Sequence, residues 1–243
     1  GWPVVALILV SVVATILVGG LIGRALGLKG DQSVLSAGAV AICGASAALA
    51  IASVLPTHKD HERNTILTVA GVTALSTIAM VVYPVLVTYL EYDNVTAGVF
   101  LGATIHDVAQ VVGAGYIISD QSGEISTLVK LIRVACLVPV VIVISLITHR
   151  SRAESPDKRP LLPWFLIAFV VLVIVNSMGW VPSQMHSVLT PVSSWCLLTA
   201  VAALGVKTSL KALTEVGPAP IGVMVLQTFF LAAIVFGGVA LIR

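Results

Sequence analysis

Apolar residues run for about twenty positions at a time along nearly the whole chain. Eight such stretches can be drawn, at roughly 2 to 23, 33 to 56, 65 to 90, 96 to 119, 125 to 148, 161 to 178, 183 to 206 and 218 to 242. A helix rises about 1.5 Å per residue and the hydrocarbon core of a bilayer is about 30 Å thick, so stretches of this length can cross it. In that medium every backbone N–H and C=O must find a partner within the protein, which leaves helices or closed barrels. The short alternating segments of a barrel are not seen. The expected fold class is therefore all-α, a polytopic integral membrane protein forming a single transmembrane domain over residues 1–243. Only 10% of the residues are charged, against about 25% in a soluble domain. A net charge of +2, scattered along the chain, is too small to suggest a nucleic-acid partner, and none is expected. Cys43, Cys136 and Cys196 are odd in number and far apart within apolar stretches, so neither a disulfide framework nor a metal site is expected, and no cofactor is implied. No charged leader precedes "GWPVVALILV", and the chain is expected to begin partway through a longer protein.

Lys and Arg concentrate in cytoplasmic loops. If all eight stretches cross, one side collects eight basic residues, among them Arg24, Lys29, Arg150 and Lys207, and the other collects Lys59, Arg63 and Arg243. The polar loop at 149–160, "HRSRAESPDKRP", then joins two halves on the cytoplasmic side, with Gly1 outside and Lys207 and Thr208 at the cytoplasmic boundary. "THKDHERN" falls on the wrong side. Two unusual stretches explain that exception: "AGAVAICGASAALAIASVLP" and "AGVFLGATIHDVAQVVGAG", both rich in Gly and Ala, with Gly44-Ala45-Ser46 aligning with Gly102-Ala103-Thr104. If both dip to mid-membrane and return, "THKDHERN" joins the cytoplasmic side and the two turns enter from opposite faces. Interrupted helices meeting at the midplane in an inverted repeat are a recurring transporter design. Broken helices that cross fully, or small-residue packing motifs on ordinary helices, stay open as alternatives.

An ionisable group at the centre of a membrane helix costs about 2.5 to 3.5 kcal/mol and normally faces the bundle interior or a wet cavity. His106 and Asp107 therefore need a reason. On an unbroken helix Thr104, Asp107 and Gln110 share one face and His106 shares a second with Gln110, a polar stripe of four residues. Either this is a binding or proton-handling site, or Asp107 merely bonds a neighbouring helix. His106 suits proton coupling because imidazole titrates near neutrality, Asp107 would serve as well, and the sequence does not choose between them. Lys130 and Arg133 share a face of the next stretch. Lys130 either snorkels to the interface or serves the site, while Arg133, one turn deeper, is expected to point inward. One carboxylate against one or two cations makes the cavity neutral or positive, which favours an anion over a metal cation. Half-helix N-termini carry about +0.5 charge and bind anions. Gly44, Ser46, Gly102 and Thr104 sit where such N-termini are expected to begin, and the two hydroxyls can donate to an oxyanion. Asn176 is a further binding candidate, or a helix-end cap.

The stretches "AICGASAALAIASVLP", "LGATIHDVAQVVGAGYIISD", "VKLIRVACLVPVVIV", "PWFLIAFVVLVIVNS" and "ALGVKTSLKAL" together resemble the YeiH-like sulfate exporter family of bacterial inner-membrane proteins. The likeness is collinear across essentially the whole chain, and residues 105–110 are its most specific part. Departures are few: the family more often has Glu at the position of Asp107, and Ala or similar at that of Gly113. Family members carry further hydrophobic segments ahead of the "GWP" turn, so this chain is expected to be a truncated or minimal form. The resemblance implies a multi-pass secondary transporter of the bacterial inner membrane. It would move a small anion such as sulfate or a sulfonate, coupled to H+ or Na+, and homodimers are common for such folds. No ATP-binding loop is present, so energy must come from a gradient. A passive anion channel and a non-transporting scaffold or sensor are the alternatives. An intramembrane enzyme with Ser46 or Cys43 as nucleophile and His106 as base lacks the strained elbow of known serine motifs, and no catalytic residue is assigned.

Overall fold

The computed structural model describes residues 1–150, 164–182 and 218–242 continuously, with scattered positions between 184 and 199. Residues 151–160, Lys207 and Thr208 lie outside the described residues. Ten helices can be followed end to end, and no strand occurs among the described residues. They are α1 (Trp2–Ala25), α2 (Gly30–Ala41), α3 (Ala45–Val54), α4 (His61–Tyr89), α5 (Asn94–Thr104), α6 (Val108–Ile118), α7 (Asp120–Ala135), α8 (Leu137–Arg150), α9 (Trp164–Ser177) and α10 (Pro218–Ile242). Four described stretches are long and apolar enough to cross a membrane: α1, α4, the joined run Asp120–Thr148 through α7 and α8, and Ala219–Ile242 of α10.

The second and fourth apolar stretches are each broken, and at both breaks the chain turns back. On α5 and α6 the proof is a shared neighbour. A Cβ added at Gly98 of α5 would stand 2.9 Å from the Ser122 carbonyl oxygen of α7, and one at Gly115 of α6 would stand 3.1 Å from the same oxygen. The two helices therefore lie side by side along one length of α7. Gly98 and Gly102 are spaced as small-xxx-small, which lets backbones approach closely in the absence of a hydrophobic drive between helices. In α2 and α3 the corresponding contact is Gly38 against the Ile51 side chain, across the break. At their outer ends Lys29 and Asp60 form an ion pair of 2.9 Å, so the residues before α2 and after α3 emerge together. The 29 residues of α4, about 43 Å at helical rise, separate the outer end of the first hairpin from that of the second. The two hairpins thus enter from opposite ends of α4, and their tips meet where Gly44 packs against His106, with 3.5 Å between the two Cβ positions.

The two turns are built differently. Gly44 has φ 65°, ψ −124°, a conformation that favours glycine, and its N–H bonds the Ala39 carbonyl at 2.9 Å to close α2. The second turn, Ile105-His106-Asp107, contains no glycine; Ile105 (φ −66°, ψ 138°) and Asp107 (φ −90°, ψ 140°) are simply extended. The aligned triplets are consequently not equivalent, because Gly44-Ala45-Ser46 starts a helix whereas Gly102-Ala103-Thr104 ends one. The break also disperses the expected stripe of Thr104, His106, Asp107 and Gln110, since these residues share no continuous helix.

Around the crossing, α10 is held to α1 and α2 by Gln227, whose Nε2 donates to the Gly19 carbonyl at 2.9 Å and to Ser36 Oγ at 3.1 Å. Buried side chains of the hairpins are mostly small, with Ala39, Ala41, Ala47, Ala48, Ala50 and Ala103 fully or almost fully enclosed.

Candidate functional site

Where α2 and α5 stop, their last carbonyls lose intrahelical partners. Lys130 and Arg133 of α7, both fully buried, supply the missing donors. Lys130 Nζ donates to the carbonyls of Ile42 and Ile105, each at 2.8 Å. Arg133 donates from Nη2 to Ala41 at 2.7 Å and Val40 at 3.1 Å, from Nε to Ala41 at 3.2 Å, and from Nη1 to Ala103 at 2.7 Å. Longer contacts of Nη1 reach Ile105 at 3.4 Å and Gly102 at 3.5 Å. The planar fork of a guanidinium suits this task, because its donors point in two directions at once, one toward each hairpin. Two helix C-termini bring about one unit of negative partial charge to the same place, which is what makes buried cations tolerable there.

The two N-termini on the other side of the crossing are arranged otherwise. Asp107 caps α6, its Oδ1 accepting the Ala109 N–H at 2.8 Å, while its own N–H donates to Ser76 Oγ at 3.0 Å. Ser76 lies near the centre of α4, so the crossing sits near the middle of the transmembrane layer. Gln110 donates from Nε2 to Thr77 Oγ1 at 2.9 Å. Opposite, α3 begins at Gly44 without a side-chain cap, and Ser46 in its first turn is exposed. Asp107 and Val108 are partly exposed, in contrast to His106, which is fully buried. His106 Nε2 lies 3.1 Å from Thr228 Oγ1, whose own hydroxyl hydrogen is given to the Met224 carbonyl at 2.8 Å. The threonine oxygen therefore accepts, and Nε2 carries the hydrogen.

Several expectations need correction. Thr104 and Gly102 do not open a half-helix. Thr104 is the last residue of α5 and donates to its own helix at the Phe100 carbonyl, 2.6 Å away, while Gly102 is pressed against the Ser126 carbonyl of α7. Lys130 does not reach the interface. Neither it nor Arg133 faces open space or pairs with Asp107; an ion pair forms instead between Lys29 and Asp60, at the outer end of the first hairpin. There the lysine's hydrogen bond holds the Asp60 carboxyl below the usual carboxylate range. Asn176 is exposed near the end of α9. Cys43 and Cys136 are buried free thiols and Cys196 is exposed, and no group of three metal-ligating side chains occurs among the described residues. Ser76, Thr77, Gln227 and Thr228 escaped the sequence reading. Of these, Gln227 carried a signal: it is the one amide in the apolar run "PAPIGVMVLQTFFLAAIVFGGVALI".

Residues 1–224 match the family described as Conserved hypothetical protein 698. The chain belongs to that family. The resemblance carried by its motifs therefore holds, and it extends to named members of Conserved hypothetical protein 698. The UPF0324 membrane protein CT0845 of Chlorobaculum tepidum is 51% identical over 237 residues, 97% of this chain and 66% of that protein. The UPF0324 membrane protein TauZ of Paracoccus denitrificans is 50% identical over 234 residues, 95% of this chain and 69% of its own length. The UPF0324 membrane protein RB0971 of Rhizobium meliloti is 46% identical over 241 residues, covering 98% of this chain and 70% of the relative. The chain thus spans about two thirds of the length of the relatives it matches. No solved structure matches it.

Proposed function

We propose that this chain is the substrate-holding part of a secondary transporter for a small oxyanion, sulfate or a sulfonate, in the bacterial inner membrane. The observation that carries this reading is the meeting of two half-helix N-termini beside a partly exposed carboxylate at mid-membrane. The uncapped start of α3 offers backbone N–H groups and positive partial charge to an anion, and the Ser46 hydroxyl adds a donor. Asp107 opposes that anion while ionised. Once protonated it caps α6 less well and repels nothing, so arrival of the anion and arrival of a proton favour one another. Between the two coupling candidates, Asp107 is the better placed, since His106 is enclosed and its Nε2 is committed to Thr228. Lys130 and Arg133 then serve substrate binding indirectly, by fixing the two hairpins against each other. Gln110, tied to Thr77, anchors α6 in the same way.

The test is uptake of labelled sulfate and taurine into proteoliposomes holding the full-length protein, under imposed proton or sodium gradients. Accumulation driven by a proton gradient and abolished by Asp107→Asn is expected. Flux that follows only the anion's own gradient, indifferent to pH and to Asp107, would make the protein a channel. Absence of flux for every anion tried would favour a scaffold or sensor.

A further inference from the structure

Interrupted helices in transporters commonly present unwound carbonyls and half-helix C-termini to a metal cation such as Na+. This chain builds the same kind of place: the carbonyls of Val40, Ala41 and Ile42 from one hairpin and of Ala103 and Ile105 from the other converge on a single region. Its occupants, however, are covalently attached. Lys130 Nζ takes Ile42 and Ile105 at 2.8 Å each, and Arg133 takes the remainder. An ammonium group is a compact point charge with donors that rotate freely, so its nearest inorganic equivalent is a monovalent cation held by carbonyl oxygens.

We infer that the carbonyl-lined region between the C-termini of α2 and α5 is a monovalent-cation site that the protein fills permanently with the Lys130 ammonium, beside the Arg133 guanidinium. Two consequences follow. The wild-type protein needs no Na+ or K+ to hold its hairpins together. A chain deprived of the ammonium, but not of the space it occupied, takes up Na+ or K+ in its place. Granted the transporter reading above, this region offers no seat to a coupling metal ion. The inference about the site itself needs no transport assay.

The experiment compares full-length wild-type, Lys130→Ala and Lys130→Met proteins in detergent, by thermal unfolding in choline, sodium and potassium chlorides at equal ionic strength and by equilibrium binding of radiolabelled Na+. Wild-type protein is expected to show the same Tm in all three salts and no saturable Na+ binding. Lys130→Ala is expected to lose stability in choline chloride, regain it saturably with Na+ or K+, and acquire one saturable site. Lys130→Met, whose side chain fills the space with an apolar group, is expected to lose stability without cation-specific recovery. Saturable Na+ or K+ binding by the wild type would overturn the inference. So would Lys130→Ala that fails to fold, or stays destabilised, in every salt, and so would equal recovery of the alanine and methionine variants. Transport can fail in proteoliposomes without touching these results, so loss of the transporter reading and loss of the cation site are separately visible.

Discussion

The two sides of the hairpin crossing handle charge in opposite ways. On the carbonyl side, where α2 and α5 end, the field is negative and is answered from within the chain by two buried cations. On the amide side, where α3 and α6 begin, the field is positive; one terminus is capped by Asp107 and the other has no side-chain cap. Breaking a helix creates both kinds of end at once, and each costs free energy in a medium without water. The protein answers the negative ends with buried side-chain donors and leaves part of the positive ends accessible. On the proposed function, that asymmetry separates structural work from ligand work. It also explains why the residues with the most conspicuous charge, Lys130 and Arg133, are not those best placed to touch an anion.

Substitutions at four positions sharpen the contrast, taken from the largest expected effect to the smallest. Arg133→Met removes every donor to Val40, Ala41 and Ala103, leaving buried carbonyls without partners at about 1–3 kcal/mol each. The summed cost is comparable to the whole stability of a typical fold, about 5–15 kcal/mol. Loss of folded protein on size-exclusion chromatography is expected, with Arg133→Lys only partly restored, because an ammonium with three donors replaces the planar five-donor fork that meets Val40, Ala41 and Ala103 together. Gly44→Ala forces a Cβ into the positive-φ region at the first turn, for about 1–3 kcal/mol. Since that Cβ would meet His106 at an ordinary 3.5 Å, strain and not collision sets the cost, and a lowered Tm with an intact fold is expected. At the second turn Asp107→Ala should lose about 1 kcal/mol of cap, whereas Asp107→Asn, an equally good N-cap, should leave Tm almost unchanged while removing proton-driven uptake. An equal stability loss for both would mean that Asp107 acts through its charge in folding and not as a cap. Last, Lys29→Ala should return the Asp60 carboxyl toward its ordinary value, detectable by NMR titration but barely in Tm. Because the folded carboxyl lies low, the pair's contribution is present above the ordinary carboxylate range and fades as pH falls through the lowered value.

Much of this was legible beforehand, and the limits have physical causes. Hydropathy located the four long apolar stretches found among the described residues because every span must satisfy the same length and polarity constraint. The misplaced charges of "THKDHERN" and the Gly-Ala content together revealed the two interruptions, since charge asymmetry and helix weakness are both local properties of sequence. The position of the second break was not legible. Ile105-His106-Asp107 holds neither Gly nor Pro, and the donors that meet the carbonyls where α5 ends, Lys130 and Arg133, come from another helix, a tertiary contact. Arg133 was expected to point inward, and does, but its partners are backbone carbonyls, which every residue carries and no motif advertises. Thr104 looked like a donor to a ligand because a sequence does not reveal that its hydroxyl is already given to Phe100. Thr228, which bonds His106 from the far end of the chain, had no local signal at all.

Whether α2–α3 and α5–α6 turn back, each from its own side, is the point on which the crossing stands, and it can be read by single-cysteine accessibility. In a background with Cys43, Cys136 and Cys196 replaced, Lys29→Cys and Asp60→Cys are expected to react with an impermeant thiol reagent from one face of the membrane, and Asp93→Cys and Asp120→Cys from the other. Labelling of positions 29 and 60 from opposite faces would mean that the first broken segment crosses, and the two tips would no longer meet.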